Sequence, residues 1–331
     1  MKKVELGQFF TRKDWWLKDK PQILNFLNTL DKKILIDPFA GEGDIINTCE
    51  KIISFEKIRK YDIEEFDDCI LNDSLISMPY DKNGFFVTNP PYLAKNSAKR
   101  KKIYQKVQKY FETSNWSDLY QIALEKMILT DMPGAAIVPE SFLNSKFLKK
   151  YQFKIDLITI IIPNPFEDTE IPICVVCFNG KTNKTLIYIN NELINNLELI
   201  KNKTMIPNHS ISITFNNKLG QVGLRAVDLK EKRIQFMPAK YLKYNMNYIK
   251  HSSRAITFIK IDLKASYDEF KYVEEICNNA NNILENFRKE TSSLLLTPFK
   301  GNNCVADRRR RLDYRTARAI LEKAINNVSN F

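Results

Sequence analysis

Short apolar segments alternate with helix-like segments from residue 33 to residue 179. The segments with strand character are rich in β-branched and aromatic side chains. They are Lys33–Asp37, Lys57–Asp62, Cys69–Leu71, Phe85–Thr88, Ala135–Val138, Ile155–Ile162 and Ile171–Phe178. Seven strands separated by helices predict an α/β fold with an open, mostly parallel, Rossmann-like sheet.

The sequence pattern changes after Gly180: asparagine-rich turns become frequent, and the alternation of strand and helix segments weakens. We therefore expect one domain over residues 1–180 and a second, mixed and helical domain over residues 181–331. Apolar residues at helical spacing predict a helix over Ser117–Thr130 in the first domain. They predict two long helices, Tyr267–Leu296 and Asp313–Val328, in the second.

The charge of the chain is distributed unevenly. Its net charge is +12, and residues 1–180 carry 25 basic and 25 acidic side chains, so the whole excess belongs to residues 181–331. Lysine and arginine that neutralise phosphates release counterions and gain affinity. A neutral domain joined to a basic one indicates chemistry followed by a polyanion-binding domain, with nucleic acid as the first candidate partner. The alternative is a lysine-rich protein with no such partner.

Composition excludes several classes of protein. With 331 residues and 44% apolar residues, the chain can form real cores, and no apolar segment is long enough to cross a bilayer. The first residues lack the apolar stretch of a secretion signal, so we expect a cytoplasmic protein with no membrane partner. Six cysteines are expected to be reduced thiols. Cys174 and Cys177 have metal-ligand spacing, but a strand points them to opposite faces, and no metal is expected.

The first candidate motif is the segment 35–44, Leu-Ile-Asp-Pro-Phe-Ala-Gly-Glu-Gly-Asp, which runs from a strand into a Gly-x-Gly turn. Glycines allow close approach of a ligand, and the Asp37 carboxylate at the strand end can hold an ammonium group. Neither a third glycine nor a Gly-Lys-Ser/Thr sequence is present, which argues against a dinucleotide site and a P-loop. Asp62 ends the next strand, where an acid can accept ribose hydroxyls, and Asp73 follows the third. A plain turn with solvated strand ends remains the alternative.

The second motif, Thr88-Asn89-Pro90-Pro91-Tyr92, follows the apolar strand at 85–87. Two prolines fix the backbone, so the Asn89 amide oxygen and the Pro90 carbonyl can both face the NH2 group of a planar substrate. Tyr92 can stack on its ring. Two acceptors favour the tetrahedral nitrogen that attacks an electrophilic methyl group, so the pattern indicates amine methylation by positioning. A structural turn is the alternative.

Three segments in this order resemble the S-adenosylmethionine-dependent DNA adenine-N6 methyltransferases of restriction–modification systems. The segments are 7–11 (Gly-Gln-Phe-Phe-Thr), 37–44 and 89–92, and their order is similar to that of the gamma group. The resemblance covers about residues 5–180. It implies a methyltransferase sheet, a C-terminal target-recognition domain, S-adenosylmethionine as cofactor with S-adenosylhomocysteine as product, and base flipping in duplex DNA.

The resemblance also implies roles for single residues. The cofactor would be bound by Gln8, Phe10, Thr11, Asp37, Pro38, Phe39, Ala40, Gly41, Gly43, Asp62, Asp73 and Asn89. Within that set Asp37 would hold the methionine ammonium, Asp62 the ribose hydroxyls and Asp73 the adenine amine. The catalytic group would comprise Asn89, Pro90, Pro91, Tyr92 and, covering the other face of the flipped base, Phe166. A buried core phenylalanine is the alternative for Phe166.

The sequence departs from the family pattern at Arg12, where proline is common. Members that methylate cytosine-N4 usually carry serine at the position of Asn89, which favours adenine here and leaves cytosine as the alternative. Two basic clusters are candidate nucleic-acid contacts: Lys99, Arg100, Lys101 and Lys102, directly after the Asn-Pro-Pro-Tyr motif, and Arg308, Arg309, Arg310, Arg311 and Arg315, at a predicted helix start. The first can bind phosphates around an extruded nucleotide, and arginine can also read guanine edges. Solvated faces are the alternative for both.

Three competing functions remain. An RNA adenine methyltransferase shares the Gly-Gln-x-Phe start but carries Asn-Leu/Ile-Pro-Tyr/Phe and a shorter C-terminal domain. A protein-glutamine methylase shares Asn-Pro-Pro-Tyr yet needs no basic second half. A catalytically silent DNA-binding module would not need both motifs intact. No nuclease motif is recognised in the sequence, so a cognate restriction endonuclease, where one exists, would be a separate protein.

Overall fold

The structure is a computed structural model that describes residues 14–164, 169–262, 269–302 and 307–329. The chain divides into two compact units, residues 1–198 and 199–331. The predicted functional division into a catalytic domain at 1–180 and a recognition domain at 181–331 stays a prediction. Within the described ranges, no helix combines the length and the apolar character needed to span a membrane.

The first unit is built on a nine-stranded sheet. Its strands are β1 (Ile34–Asp37), β2 (Lys57–Asp62), β3 (Ile70–Leu71), β4 (Gly84–Thr88), β5 (Gly134–Pro139), β6 (Ile155–Ile160), β7 (Ile173–Phe178), β8 (Leu186–Ile189) and β9 (Glu192–Asn196). Their order is β3-β2-β1-β4-β5-β7-β6-β8-β9. All seven predicted strands are present, with ends shifted by up to two residues.

The prediction of a seven-stranded, mostly parallel sheet is wrong in strand number, and the sheet is mixed. Strands β1 to β5 pair in parallel, whereas β7 lies antiparallel between β5 and β6. The two extra strands, β8 and β9, extend the sheet beyond β6. They were missed because both are short and mostly half-buried or exposed, and because the edge strand β9 contains two asparagines.

Helices complete the first unit. They are α1 (Trp15–Lys18), α2 (Pro21–Asn28), α3 (Asp44–Cys49), α4 (Lys95–Arg100), α5 (Tyr104–Glu112), α6 (Leu119–Leu129) and α7 (Lys146–Tyr151), and α8 (Leu197–Lys201) spans the division between the units. The predicted helix at 117–130 is confirmed as α6, whose buried positions lie on all sides. Strands β4 to β7 are buried at every position, as expected for a sheet covered on both faces.

The second unit combines an antiparallel sheet with two long helices. Its elements are β10 (Ile213–Phe215), β11 (Val222–Arg225), β12 (Gln235–Pro238), β13 (Ile256–Ile261), α9 (Glu269–Glu290), β14 (Thr297–Asn302), β15 (Arg308–Arg311) and α10 (Tyr314–Ser329). The sheet order is β10-β13-β11-β12, and β14 and β15 form a separate hairpin. Both helices were predicted. Their apolar stripes, including Ile276, Leu284, Ile320 and Leu321, form one core with the sheet.

Candidate functional site

The carboxyl ends of β1 and β4 lie side by side because the two strands pair in parallel. A buried hydrogen bond joins them: Thr88 Oγ1 donates to Asp37 Oδ1 over 2.6 Å. The backbone N–H of Phe39 donates to the same oxygen over 3.0 Å. The two candidate motifs, which begin about fifty residues apart in the sequence, therefore meet at one edge of the sheet.

The second oxygen of Asp37 has a different environment. Oδ2 is buried and has no hydrogen-bond partner among the residues that the structure describes. Burial raises the pKa of this fully enclosed carboxyl to about 7, and the nearby Asp62 carboxylate acts in the same direction, against the lowering by the Thr88 and Phe39 hydrogen bonds. A buried carboxylate oxygen without a donor is the feature that a bound cation would satisfy, so the residue fits an ammonium group.

The turn after β1 leaves room above the backbone. Gly41 and Gly43 adopt φ angles of +52° and +85°, which favour glycine, and Gly43 is the N-cap of α3. A Cβ built on Gly41 meets no atom within 4 Å. Pro38 and Ala40 are buried under the turn, whereas Phe39 is half-buried. The predicted cofactor turn is thus open to a ligand on the Gly41 side.

Asp62 lies at the same edge and fixes the turn. Its Oδ2 accepts a hydrogen bond from the Gly41 backbone N–H over 2.9 Å, and its Oδ1 accepts from the Glu64 N–H over 3.0 Å. The side chain is buried at the end of β2. Each carboxylate oxygen has a further lone pair, so Asp62 is placed beside the turn with accepting capacity left for a hydroxyl.

Asp73 has partners that the sequence did not indicate. Its Oδ2 accepts hydrogen bonds from Lys109 Nζ and from the Tyr110 hydroxyl, both over 2.9 Å. Both donors belong to α5. The carboxylate therefore holds α5 against the segment after β3, and its predicted role at an adenine amine stays a prediction.

The Asn-Pro-Pro-Tyr segment leaves the end of β4 directly. Asn89 and Pro91 are half-buried, and Pro90 and Tyr92 are buried. The Tyr92 hydroxyl donates to the Ile137 carbonyl oxygen on β5 over 2.9 Å, and the ring meets Tyr120 edge-on at 6.3 Å. Burial raises the pKa of Tyr92 well above its ordinary value, so the hydroxyl remains a donor. The orientation of Tyr92 is fixed by β5 and α6, and its stacking role stays a prediction.

Four predicted site residues, Gln8, Phe10, Thr11 and Phe166, lie outside the described residues. Their assigned roles stay predictions. In the part of the chain that the structure describes, no group of three or more histidine, cysteine or acidic side chains has a geometry that could hold a metal ion. Cys174 and Cys177 are both buried in β7, among apolar neighbours.

The basic cluster after the motif is exposed. Lys99, Arg100, Lys101 and Lys102 lie at the end of α4 and in the turn that follows, where Lys102 adopts a φ of +58°. Lys99 Nζ lies 5.2 Å from the centre of the Tyr104 ring. All four side chains are exposed, and their predicted phosphate contacts stay a prediction.

Arg308–Arg311 form strand β15, directly before the predicted helix at 313–328, which is present as α10. Strand alternation buries Arg308 and Arg310 and leaves Arg309 and Arg311 half-buried. Arg309 donates to the backbone oxygens of Asp228 and Lys300 over 2.7 and 3.1 Å. Arg315 is exposed on α10. The predicted nucleic-acid role stays a prediction, and only part of the cluster reaches solvent.

Sequence reasoning assigned no role to Thr88, although its hydroxyl joins the two motifs. A hydroxyl residue at the end of an otherwise apolar strand, directly before Asn89, was the available signal.

Comparisons with known proteins gave structural matches alone. No family model matches the chain, and no curated protein matches its sequence. One similar solved structure is the methyltransferase subunit of a type I restriction-modification system from Streptococcus thermophilus, at 14% identity and a TM-score of 0.39, covering 59% of this chain and 53% of that one. Another is a cryo-EM complex of DrdV with DNA, at 14% identity and a TM-score of 0.36, covering 58% of this chain and 28% of that one. The chain spans about half of the first and a smaller part of the second.

Proposed function

We propose that the protein is a DNA methyltransferase that uses S-adenosylmethionine to methylate N6 of an adenine flipped out of duplex DNA. The proposal depends mainly on the hydrogen bond between Thr88 and Asp37. It places a buried carboxylate that could bind a cation beside the strand end that leads into Asn89-Pro90-Pro91-Tyr92. A methyl donor with an ammonium group and a planar amine acceptor would then meet at one sheet edge.

The residues at the turn fit this cofactor. Asp37 Oδ2 would accept the methionine ammonium, and the backbone at Gly41 and Gly43 would allow the cofactor to approach closely. Asp62 would accept the ribose hydroxyls and Asp73 the adenine amine. When bound, the cofactor supplies an electrophilic methyl group on a positively charged sulfur.

Asn89 and Pro90 would hold the target amine. The Asn89 amide oxygen and the Pro90 carbonyl would accept its two hydrogens, which pyramidalises the nitrogen and directs its lone pair at the methyl carbon. The nitrogen held by Asn89 and Pro90 would take the methyl group, S-adenosylhomocysteine would be left as the neutral thioether product, and the methylated nitrogen would lose one proton to solvent. No nucleophilic side chain is required.

Charge supports duplex DNA as the substrate. Residues 1–198 carry 27 basic and 27 acidic side chains, so the net charge of +12 lies wholly in residues 199–331. A basic unit supplies phosphate affinity without demanding any particular base sequence. A restriction–modification role, with a separate cognate endonuclease as candidate partner, follows from the resemblance in sequence.

The test is expression of the chain in a host that lacks adenine methylation, followed by single-molecule sequencing of the genome. We expect N6-methyladenine within one short sequence motif, and its loss in Asn89→Ala. Asn83→Ala, an exposed asparagine just before the same strand, is the matched control and should leave methylation intact.

Other outcomes discriminate the alternatives. An unmodified genome together with methylated RNA would overturn the assignment to DNA. An unmodified genome, unmodified RNA and retained DNA binding would indicate a silent DNA-binding module.

A further inference from the structure

Exposed tyrosines and cations alternate in the second unit over residues 239–254, which we name the tyrosine–lysine segment. It contains Tyr241, Tyr244 and Tyr248, which are 54%, 38% and 67% exposed. Lys240, Lys243, Lys250 and Arg254 are interleaved with them, and all four are exposed. Large aromatic side chains are normally withdrawn from solvent, so three exposed rings in one segment call for a function.

The sequence of this region is basic. Residues 232–261 include seven lysine and arginine residues and no aspartate or glutamate; the acids Glu285 and Asp307 lie 3.9 and 3.8 Å from Arg233, which is outside the tyrosine–lysine segment. A surface that has cations without neighbouring acids in its own sequence favours a polyanion over a neutral or basic partner. Exposed rings beside such cations are typical of surfaces that bind nucleic acid through phosphate pairing and ring stacking.

The exposed rings are presented by an anchored backbone. Leu242 and Ile249 are buried and pack with Met237 and Phe258 in a small core of their own. Gly223 on β11 makes room for Leu242, because a Cβ there would lie 2.8 Å from the Leu242 Cβ. The tyrosines between and beside these two anchors are therefore held outward by the fold.

Contacts within the segment and with neighbouring elements further restrict its side chains. The Tyr244 and Tyr248 rings meet edge-on at 6.3 Å, and Lys240 Nζ lies 3.2 Å from the centre of the Phe270 ring on α9. Arg254 donates to the backbone oxygens of His251 and Ser253 over 3.1 and 2.8 Å, and its guanidinium lies 5.3 Å from the Tyr314 ring. Ordering before binding lowers the entropy lost when a partner is engaged.

We propose that the tyrosine–lysine segment is a DNA-binding surface of the second unit. Lys243 and Lys250 neutralise phosphates, while Tyr244 and Tyr248 pack against the deoxyribose of the duplex backbone. This inference rests on the proposed function for the identity of the polyanion. It assigns the contact to a part of the chain separate from both arginine- and lysine-rich clusters of the sequence analysis.

The test compares two charge-matched double variants of the full chain. Lys243→Ala/Lys250→Ala removes two cations from the segment, and Lys289→Ala/Lys323→Ala removes two exposed cations from α9 and α10. Binding to a fluorescent DNA duplex is measured over a range of salt concentrations. The segment variant should lower the slope of log K against log salt by about 1.8, since each phosphate contact contributes about 0.9. The helix variant should keep the wild-type slope.

The contribution of the tyrosine rings to duplex binding is tested at Tyr248. Tyr248→Ala should weaken duplex binding about fivefold or more, and Tyr248→Phe should restore it, because stacking needs the ring and not the hydroxyl. Thermal melting checks that the exposed substitutions leave folding unchanged. Photocrosslinking to a duplex carrying 5-iododeoxyuridine, read by mass spectrometry, should recover a peptide from residues 239–254.

The outcomes separate this inference from the proposed function. Wild-type DNA binding with an unchanged slope in both double variants, and no crosslink in the segment, overturns the inference and leaves the methyltransferase proposal standing. A chain that binds duplex RNA through the segment but does not bind DNA overturns the assignment to DNA and the proposed substrate together.

Discussion

Replacing Asp37 by asparagine should stabilise the cofactor-free protein and weaken its binding of the proposed cofactor about a hundredfold. Burial raises the pKa of Asp37 from 3.8 to about 7. At about 1.4 kcal/mol per pKa unit, the ionised carboxylate costs the folded state about 4 kcal/mol above pH 7. Asparagine keeps an acceptor for Thr88 and Phe39 but buries an amide with unpaired donors, which costs about 1–3 kcal/mol. The substitution should therefore raise the free energy of unfolding by about 1–3 kcal/mol.

The stability that Asp37→Asn adds should increase with pH. A carboxyl whose pKa is raised on folding destabilises the protein only where it is ionised, so the penalty is absent below the unfolded-state pKa of 3.8 and complete above about 7. The advantage of Asp37→Asn should therefore shrink by about 2–3 kcal/mol between pH 8 and pH 5. Thermal melting at the two pH values measures this difference as a shift of several degrees at pH 8 and little shift at pH 5.

Asp37→Asn should weaken cofactor binding although it stabilises the free protein. Without the Asp37 charge, isothermal titration at pH 8 should show S-adenosylmethionine binding about a hundredfold weaker, as for loss of one partner of a buried ion pair. In the wild-type protein the affinity should rise about tenfold from pH 6 to pH 8, as the ionised fraction of Asp37 increases from about a tenth to about nine-tenths.

The matched control is Asp156→Asn. Asp156 is also buried, but its oxygens accept hydrogen bonds from the backbone N–H groups of Asn179, Gly180, Lys181 and Thr182. Its replacement should destabilise the protein and spare cofactor binding. Should Asp37→Asn bind the cofactor as the wild type does at pH 8, or lose stability as the control does, Asp37 would not be a cation site.

Two further predictions concern the same edge of the sheet and the basic clusters. Thr88→Val removes the only side-chain donor to Asp37 seen in the described structure, so cofactor affinity should fall while Thr88→Ser preserves it; equal affinities in all three proteins would contradict the positioning role of the hydroxyl. Lys99→Ala/Lys102→Ala should lower the salt slope of DNA binding by about 1.8. Arg308→Ala/Arg310→Ala should instead lower the melting temperature, since both side chains are buried; the reverse pattern would make the arginines the interface.

The central strands could be predicted because they are buried on both faces. Strands β4 to β7 are continuous apolar segments, and such segments are distinctive in sequence. Strands β8 to β12 were not predicted, since each has five residues or fewer, and the six-residue β13 was missed as well. Their register depends on pairing between distant segments, for example β11 with β13, which a local pattern does not encode.

The arginine cluster shows the limit of reading charge from sequence. Four consecutive arginines indicated an exposed basic surface, yet β15 turns two of them inward. Asp228 holds the backbone of β15: it pairs with Arg288 through two hydrogen bonds, over 3.1 and 3.0 Å, and accepts from the Arg310 backbone N–H. Asp228 lies about eighty residues earlier in the chain, so no local pattern reveals this contact.

The distinction between Asp37 and Asp62 lies beyond sequence for the same reason. Both are aspartates at the ends of neighbouring parallel strands, and sequence reasoning placed both against the cofactor. Backbone N–H groups donate to each Asp62 oxygen, whereas one buried oxygen of Asp37 has no donor among the residues that the structure describes. A carboxylate with backbone donors stabilises its turn with or without a ligand. A buried carboxylate oxygen without a donor destabilises the folded protein, so we expect Asp37 to contribute more than Asp62 to the affinity for a cationic cofactor.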